Sequence, residues 1–135
     1  MLKKAVIFLL TVAALYAEVA WQPDYESALE KARLEKKPLL VLMVSHTCRW
    51  CRRLENRTLE HPAVRDYVDD HFVAVKVYRE EEAYPETLHA SLVPTTFFLA
   101  PDGEPLPFVV EGYEDPSDYL DSLKAAWEAF EKDAR

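Results

Sequence analysis

The run of apolar and polar positions divides the chain into alternating helical and extended stretches. Between Asp24 and Lys37 the apolar residues Tyr25, Ala28, Leu29 and Ala32 recur at helical spacing, with Asp24 placed as N-cap and Pro38 as the stop. Leu39 to Val44 is aliphatic at every position, the pattern of a strand buried on both faces. A loop, Ser45 to Thr47, leads into Cys48-Arg49-Trp50-Cys51, and Leu54 and Thr58 continue a helical stripe beyond it. Pro62 suits the first turn of a second short helix that runs to Asp69.

The valine-rich stretch Phe72 to Tyr78 predicts another strand, which the acidic Glu80 to Glu82 ends as a solvated loop. Pro85 to Leu92 predicts a helix and Thr95 to Leu99 a strand. Pro101-Asp102-Gly103-Glu104 has the chemistry of a tight turn, with Phe108 to Val110 as the hairpin partner. Gly112, one of only two glycines, marks a backbone need such as close approach or positive φ. Asp115-Pro116 opens a last helix with Asp118 in its first turn and Leu120, Leu123, Trp127 and Phe130 as its buried stripe. Alternation ending in a hairpin predicts an α/β fold, a mixed central sheet with helices on both faces.

The first residues read differently. Lys3 and Lys4 form a basic start, and Ala5 to Ala14 is apolar apart from Thr11. Ala17 offers a small residue for cleavage, with Leu15 two positions before it. The run is shorter than the roughly 20 apolar residues of a membrane-spanning helix. We therefore read residues 1–17 as a signal peptide and 18–135 as one domain exported to the periplasm; an uncleaved anchor or a buried first element are the alternatives. No cysteine follows the run, so a lipoprotein anchor is not indicated.

Charge narrows the partners. The formal net charge is -8, and loss of Lys3 and Lys4 with the leader makes it -10. So acidic a domain lacks the basic face that nucleic acid or anionic lipid requires. Contact with a membrane is then expected only through an uncleaved signal. No dimerisation segment is evident, and a monomer is expected.

Cys48 and Cys51 are the only cysteines. A disulfide closing so short a loop constrains the unfolded chain little, so it serves poorly as a structural staple. The pair is also an incomplete zinc site, since zinc usually takes four ligands. The spacing suits reversible disulfide chemistry with Cys48 at a helix N-terminus, where free N–H groups and the helix dipole stabilise a thiolate. Cys51, one turn on, is placed to resolve a mixed disulfide formed at Cys48. Arg49, Arg52 and Arg53 add positive charge that favours the thiolate, although Arg52 and Arg53 read equally as a solvated face. Trp50 either shields Cys51 and contacts partners or packs on the surface. His46 reads as an exposed loop residue, and His61, His71 and His89 receive no function.

These features resemble the thioredoxin superfamily, over the chain from Trp21 to the final helix: a buried strand, a CxxC pair opening a helix, then Val93-Pro94-Thr95, the strand Thr96 to Leu99 and the turn at Asp102-Gly103. The resemblance implies a cis peptide bond at Pro94, a Val93 backbone that pairs with an extended substrate segment, and Arg49, Trp50, Val93 and Pro94 as the substrate-binding residues around catalytic Cys48 and Cys51. Within the superfamily the chain is similar to thioredoxin-like proteins such as the C-terminal periplasmic domain of the interchange protein DsbD, through Trp21 with Ala28, Lys37-Pro38, Cys51 to Glu55 with Thr58, and His61-Pro62-Ala63-Val64. That likeness implies a protein-disulfide reductase passing electrons from a thiol–disulfide donor to disulfides of exported proteins. It implies no cofactor beyond the redox-active Cys48–Cys51 disulfide and no metal.

The chain departs from the superfamily pattern in three places. Thr47 stands where a cytosolic thioredoxin has Trp, and Arg49-Trp50 replace Gly-Pro. Leu42 occupies the place, six residues before the first cysteine, of a buried Asp that assists proton transfer. Proton handling at Cys51 then falls to water, Glu55, Lys76 or Glu111. The dipeptide Arg49-Trp50 does not reveal the redox direction. A periplasmic oxidase or isomerase of protein disulfides is one alternative; a copper-binding chaperone using Cys48, Cys51 and His46 is another, since thiolates select Cu(I).

Overall fold

The structure is a computed structural model that describes residues 18–135. The expected leader, with Lys3, Lys4, the apolar run and cleavage after Ala17, lies outside the described residues. Among those described, no helix is long and apolar enough to cross a membrane.

Among the described residues, five strands and four α-helices follow the predicted order with a few differences. They are β1 (Trp21–Gln22), α1 (Tyr25–Glu35), β2 (Leu39–Val44), α2 (Arg49–Arg53), α3 (Pro62–His71), β3 (Val73–Tyr78), β4 (Thr95–Leu99), β5 (Pro105–Glu111) and α4 (Pro116–Asp133). The sheet order is β1-β3-β2-β4-β5. β3 runs parallel to β1 and β2, while β4 is antiparallel to β2 and β5, so the sheet is mixed.

All six residues of β2 are buried, as an unbroken aliphatic run requires of a central strand. Side-chain alternation sends them to two cores. Leu39, Val41 and Met43 join Val73, Val75, Val77, Phe97 and Leu99 beneath Tyr25, Ala28 and Ala32 of α1. Leu40, Leu42 and Val44 join Ala74 and Phe98 against Cys51, Val64, Val68 and Leu123 from the helices of the other face. Thus α1 covers one face and α2, α3 and α4 cover the other.

Local signals explain the element ends. The Asp24 carboxylate accepts the Ser27 N–H at 2.7 Å and starts α1. α1 stops at Glu35, before the expected Lys37, because a residue preceding proline is driven out of helical conformation. Lys36 takes the left-handed turn instead, with φ of 56°. Asp115 caps α4 through the Asp118 N–H at 2.9 Å. Gly103 and Gly112 have φ of 91° and 83°, so positive φ is what these two positions require.

The structure departs from the expected elements in four further places. Residues 85–92 are not a helix: a single turn closes with the Leu88 N–H on the Pro85 carbonyl at 3.0 Å, and only Leu88 is buried. So short a segment cannot nucleate a helix without an apolar face to dock. Trp21–Gln22 forms an unexpected edge strand on β3, too short to show a period. The run after α2 widens into a π-helical turn at Leu54–Thr58, where Leu59 N–H reaches the Leu54 carbonyl and Leu54 and Thr58 remain the buried stripe. In α4 the fully buried line is Tyr119, Leu123 and Ala126, while Leu120, Trp127 and Phe130 pack at its margin.

Tyr119 is sealed in the core, its hydroxyl 2.8 Å from Thr96 Oγ1. Burial, partly offset by that hydrogen bond, pushes its phenol well above the ordinary value. Tyr119→Phe leaves the Thr96 hydroxyl without its partner and should cost about 1–2 kcal/mol of stability. Thr96→Val with Tyr119→Phe should recover part of that loss in urea unfolding; strictly additive losses would show that the two hydroxyls do not act as a pair.

Candidate active site at Cys48 and Cys51

β2 ends at Val44, and three loop residues carry the chain to Cys48, the N-cap of α2 with extended backbone at φ -123° and ψ 106°. Cys48 and Cys51 are joined in a disulfide with Cα atoms 5.2 Å apart. The Cys51 N–H points at Cys48 Sγ from 3.1 Å, and the Arg52 N–H donates to the Cys48 carbonyl at 3.2 Å. The outer sulfur is thus held where a helix start offers free N–H groups. Exposure separates the two: Cys48 is 9% and Cys51 only 1% accessible, so attack from outside falls on Cys48.

Pro94 brings a second segment to the pair. The Val93–Pro94 peptide bond is cis, and the Val93 carbonyl oxygen lies 3.7 Å from Cys48 Sγ. Pro94 is buried and its carbonyl accepts the Gly112 N–H at 2.7 Å, which ties this loop to the end of β5. Cys48, Cys51, Val93 and Pro94 therefore meet at one place.

The charged and aromatic flank is organised rather than merely solvated. The Arg53 guanidinium lies 5.4 Å from the Trp50 ring and 5.5 Å from that of Tyr113, and the two rings are 5.5 Å apart. Such a stack is worth about 0.5–1 kcal/mol at an exposed site. Tyr113 escaped the sequence reading; its position just after Gly112 was the available signal. Arg49 and Arg52 are exposed.

The residues weighed for proton handling divide. Lys76 Nζ is 2.6 Å from Glu55 Oε1, and both side chains are partly buried. Lys76 stands beside Leu42 in the β2–β3 register, and Glu55 follows Cys51 by one helical turn. Burial opposes the Lys76 charge, but the hydrogen bond and attraction from Glu55, with help from Tyr78, outweigh it and hold its pKa above 10.5. An open cavity of about 150 Å³ lined by Val19, Trp21, Glu55 and Lys76 gives this pair access to water. Glu111 is exposed at the end of β5, apart from this pair.

His46 turns to another use. Its ring stacks on Tyr78 at 4.0 Å and its Nε2 is 3.0 Å from Glu81. Ser45 donates its hydroxyl hydrogen to the Glu80 carboxylate, so the acidic turn after β3 grips the loop before Cys48. Glu80 and Glu81 are accordingly clamps on that loop, in addition to being solvated. His61 caps α3, its Nδ1 accepting the Ala63 N–H at 3.3 Å. His71 stacks on Tyr67 at 3.9 Å. Among the described residues no three His, Cys, Asp or Glu side chains converge as a metal site.

Comparison with known proteins agrees with this geometry. The family described as Thioredox_DsbH, protein of unknown function, DUF255, matches residues 2–131. Human spermatogenesis-associated protein 20 is 31% identical over 114 residues, 78% of this chain. The match spans only 14% of that relative's length. Among solved structures, a putative disulphide-isomerase from Bacteroides thetaiotaomicron is 28% identical with a TM-score of 0.68, over 83% of this chain and 95% of that one. The C-terminal domain of DsbD from Neisseria meningitidis, 22% identical with a TM-score of 0.58 over 75% of this chain and 91% of its own, shares the fold. The thioredoxin-like fold and the likeness to that domain are both as the sequence implied.

The Glu55–Lys76 pair carries a pH signature. A lysine whose folded pKa is raised contributes stability in full below the ordinary value of 10.5, and loses it as pH climbs through the folded pKa. Glu55→Gln should therefore cost about 1 kcal/mol at pH 7, with the deficit shrinking once the pH rises past 10.5. Urea midpoints of the two proteins at both pH values check this; a deficit that does not change with pH would exclude the ion pair as its source.

Proposed function

The chain belongs to the Thioredox_DsbH family, and on that premise we propose that it is an exported thiol–disulfide oxidoreductase acting on disulfides of other exported proteins. The observation that carries the reading is the Cys48 cap: the less buried of the two cysteines has its sulfur facing the Cys51 N–H at 3.1 Å, with Cys51 sealed behind it. In the reduced protein that N–H stabilises a Cys48 thiolate, and Arg49 adds a favourable charge.

The reaction proceeds in two exchanges. The Cys48 thiolate attacks a partner disulfide, forming a Cys48–partner disulfide and expelling the partner's other sulfur as thiolate. Cys51, having lost its proton, attacks Cys48 Sγ, which forms the Cys48–Cys51 disulfide and frees the second partner thiol. The partner gains two electrons and two protons; the electrons and the Cys51 proton come from the protein and the second proton from water, because Cys48 reacts as the thiolate, and the protein is then recharged by a dithiol donor. Glu55 with Lys76, in contact with water through the adjoining cavity, takes the Cys51 proton in place of the carboxylate that Leu42 excludes. Val93 offers its backbone, and Arg49 and Trp50 their side chains, to the partner segment. The protein works as a monomer in the periplasm, delivered by residues 1–17.

Reduction is favoured through the likeness to the DsbD domain. Isomerisation is the second reading, drawn from the name of the Bacteroides neighbour. A copper-carrying role is disfavoured because His46 is engaged by Tyr78 and Glu81.

Cys48→Ser should abolish insulin reduction, whereas Cys51→Ser should accumulate as a mixed disulfide visible in intact-protein mass spectra. Full activity in Cys48→Ser would overturn the proposal. Equilibration of the pair in thiol buffers should give a potential near about -270 mV for an electron carrier; a value near about -120 mV would make the protein an oxidant instead.

A further inference from the structure

The surface around the disulfide carries charges that the fold leaves unused. The chain is strongly acidic, yet α2 begins with Arg49, Arg52 and Arg53 in one and a half turns. Arg53 is taken up by Trp50 and Tyr113. Arg49 and Arg52 enter no ion pair among the described residues. Several carboxylates of neighbouring elements are committed elsewhere: Glu55 to Lys76, Glu80 to Ser45, Glu81 to His46 and Glu114 to the Ser122 hydroxyl.

An apolar floor adjoins these cations. Trp50 is 52% and Leu92 42% exposed, among the few large apolar side chains left open. Leu92 Cδ1 lies 3.8 Å from the point where a Cβ on Gly112 would sit, so Leu92 rests on Gly112. Gly112 leads directly to Tyr113, which meets Trp50. Leu92, Gly112, Tyr113 and Trp50 thus form a continuous strip past Cys48 and the Val93 carbonyl.

We propose that this surface docks an extended protein segment whose reacting cysteine has an acidic side chain and an apolar or aromatic side chain within two or three residues of it. The inference rests on the oxidoreductase reading above and adds the class of segment recognised. An extended chain advances about 3.3 Å per residue, so a side chain two positions from the cysteine lies about 6.6 Å along the strip, on the same side as the cysteine. Arg49 and Arg52 supply the complement to the acid, and the Trp50–Tyr113 strip takes the apolar residue. Charges at such a rim act on encounter rate and choice of partner more than on final affinity.

Three nine-residue peptides test this. Each has a central cysteine blocked as a neutral mixed disulfide with 2-mercaptoethanol and one flanking Phe; the remaining flank is Asp, Ser or Lys. Second-order rate constants with the reduced protein should run about five- to tenfold higher for the Asp than the Lys peptide at low salt, converging near 0.5 M salt. Arg49→Gln/Arg52→Gln should bring the ratio close to one, and Arg52→Glu should turn it toward the Lys peptide. Replacing Phe by Ser should slow the native protein but not Trp50→Ala. If the arginines only stabilise the Cys48 thiolate, all three peptides change together and the ratio is untouched, which sinks the docking inference while leaving the oxidoreductase intact. Equal rates for the three peptides in the native protein have the same meaning. Failure to exchange with any peptide removes the oxidoreductase reading and this inference with it.

Discussion

The six side chains of β2 have no exposed face, and this constraint positions the disulfide. A slip of one residue would move Leu39, Val41 and Met43 from the α1 side to the side of Cys51 and Leu123, so register is pinned from both faces. The strand therefore releases the chain at one point, Val44, and the short loop to Cys48 has little latitude. Ser45 and His46 remove more of it by fastening to Glu80 and Glu81. At the loop's end a cysteine takes a cap position that favours Ser, Thr, Asp or Asn. The sulfur accepts the N–H that a hydroxyl or carboxylate would otherwise take, and a cap becomes a nucleophile.

Leu42 alters the inner side of the same site. A carboxylate there would sit beside Lys76 in the sheet but sealed from solvent, where an ionised acid carries a desolvation penalty of several kcal/mol unless fully paired. With leucine the core is apolar, and Lys76 finds its counter-charge in Glu55, at the edge of a water-accessible cavity. The π-helical turn at Leu54–Thr58 holds Glu55 on that side, and Thr58 anchors the turn by donating its hydroxyl to the Glu114 carbonyl at 2.6 Å. The arrangement exchanges a buried acid for a half-open ion pair that can trade protons with solvent.

Much of this was legible in the sequence because the strong signals are local. The aliphatic run of β2, the Asp24 and Asp115 caps, Pro38 and the Cys48–Cys51 spacing each dictate their structure within a few residues. What escaped depends on tertiary neighbours. β1 exists because β3 offers an edge to pair with. Residues 85–92 contain helix-compatible residues but bury only Leu88, so nothing holds a helix there. Tyr119 lies outside the stripe expected for α4, and its burial depends on Thr96, which meets its hydroxyl in the core. At the site, the cysteines and the Val93-Pro94 segment were readable, whereas the Arg53–Trp50–Tyr113 stack joins residues sixty positions apart and leaves no local trace.

The arginines bear on redox direction in a way that magnitudes decide. Positive charge near Cys48 stabilises the thiolate and hence the reduced protein, which makes the pair more oxidising. Carriers and oxidants of this chemistry differ by about 150 mV, or about 7 kcal/mol for two electrons. An exposed cation contributes about 0.2–1 kcal/mol. Arg49, Arg52 and Arg53 together therefore reach at most about 3 kcal/mol, or about 65 mV, less than half the interval. The larger share must come from groups less exposed than these: the Cys51 N–H on Cys48 Sγ and the apolar Leu42 side chain. The N–H favours the reduced state, whereas an apolar surround disfavours any thiolate within it. These magnitudes place the decision on direction behind the disulfide rather than with the arginines in front of it, the charges that the proposed docking would use.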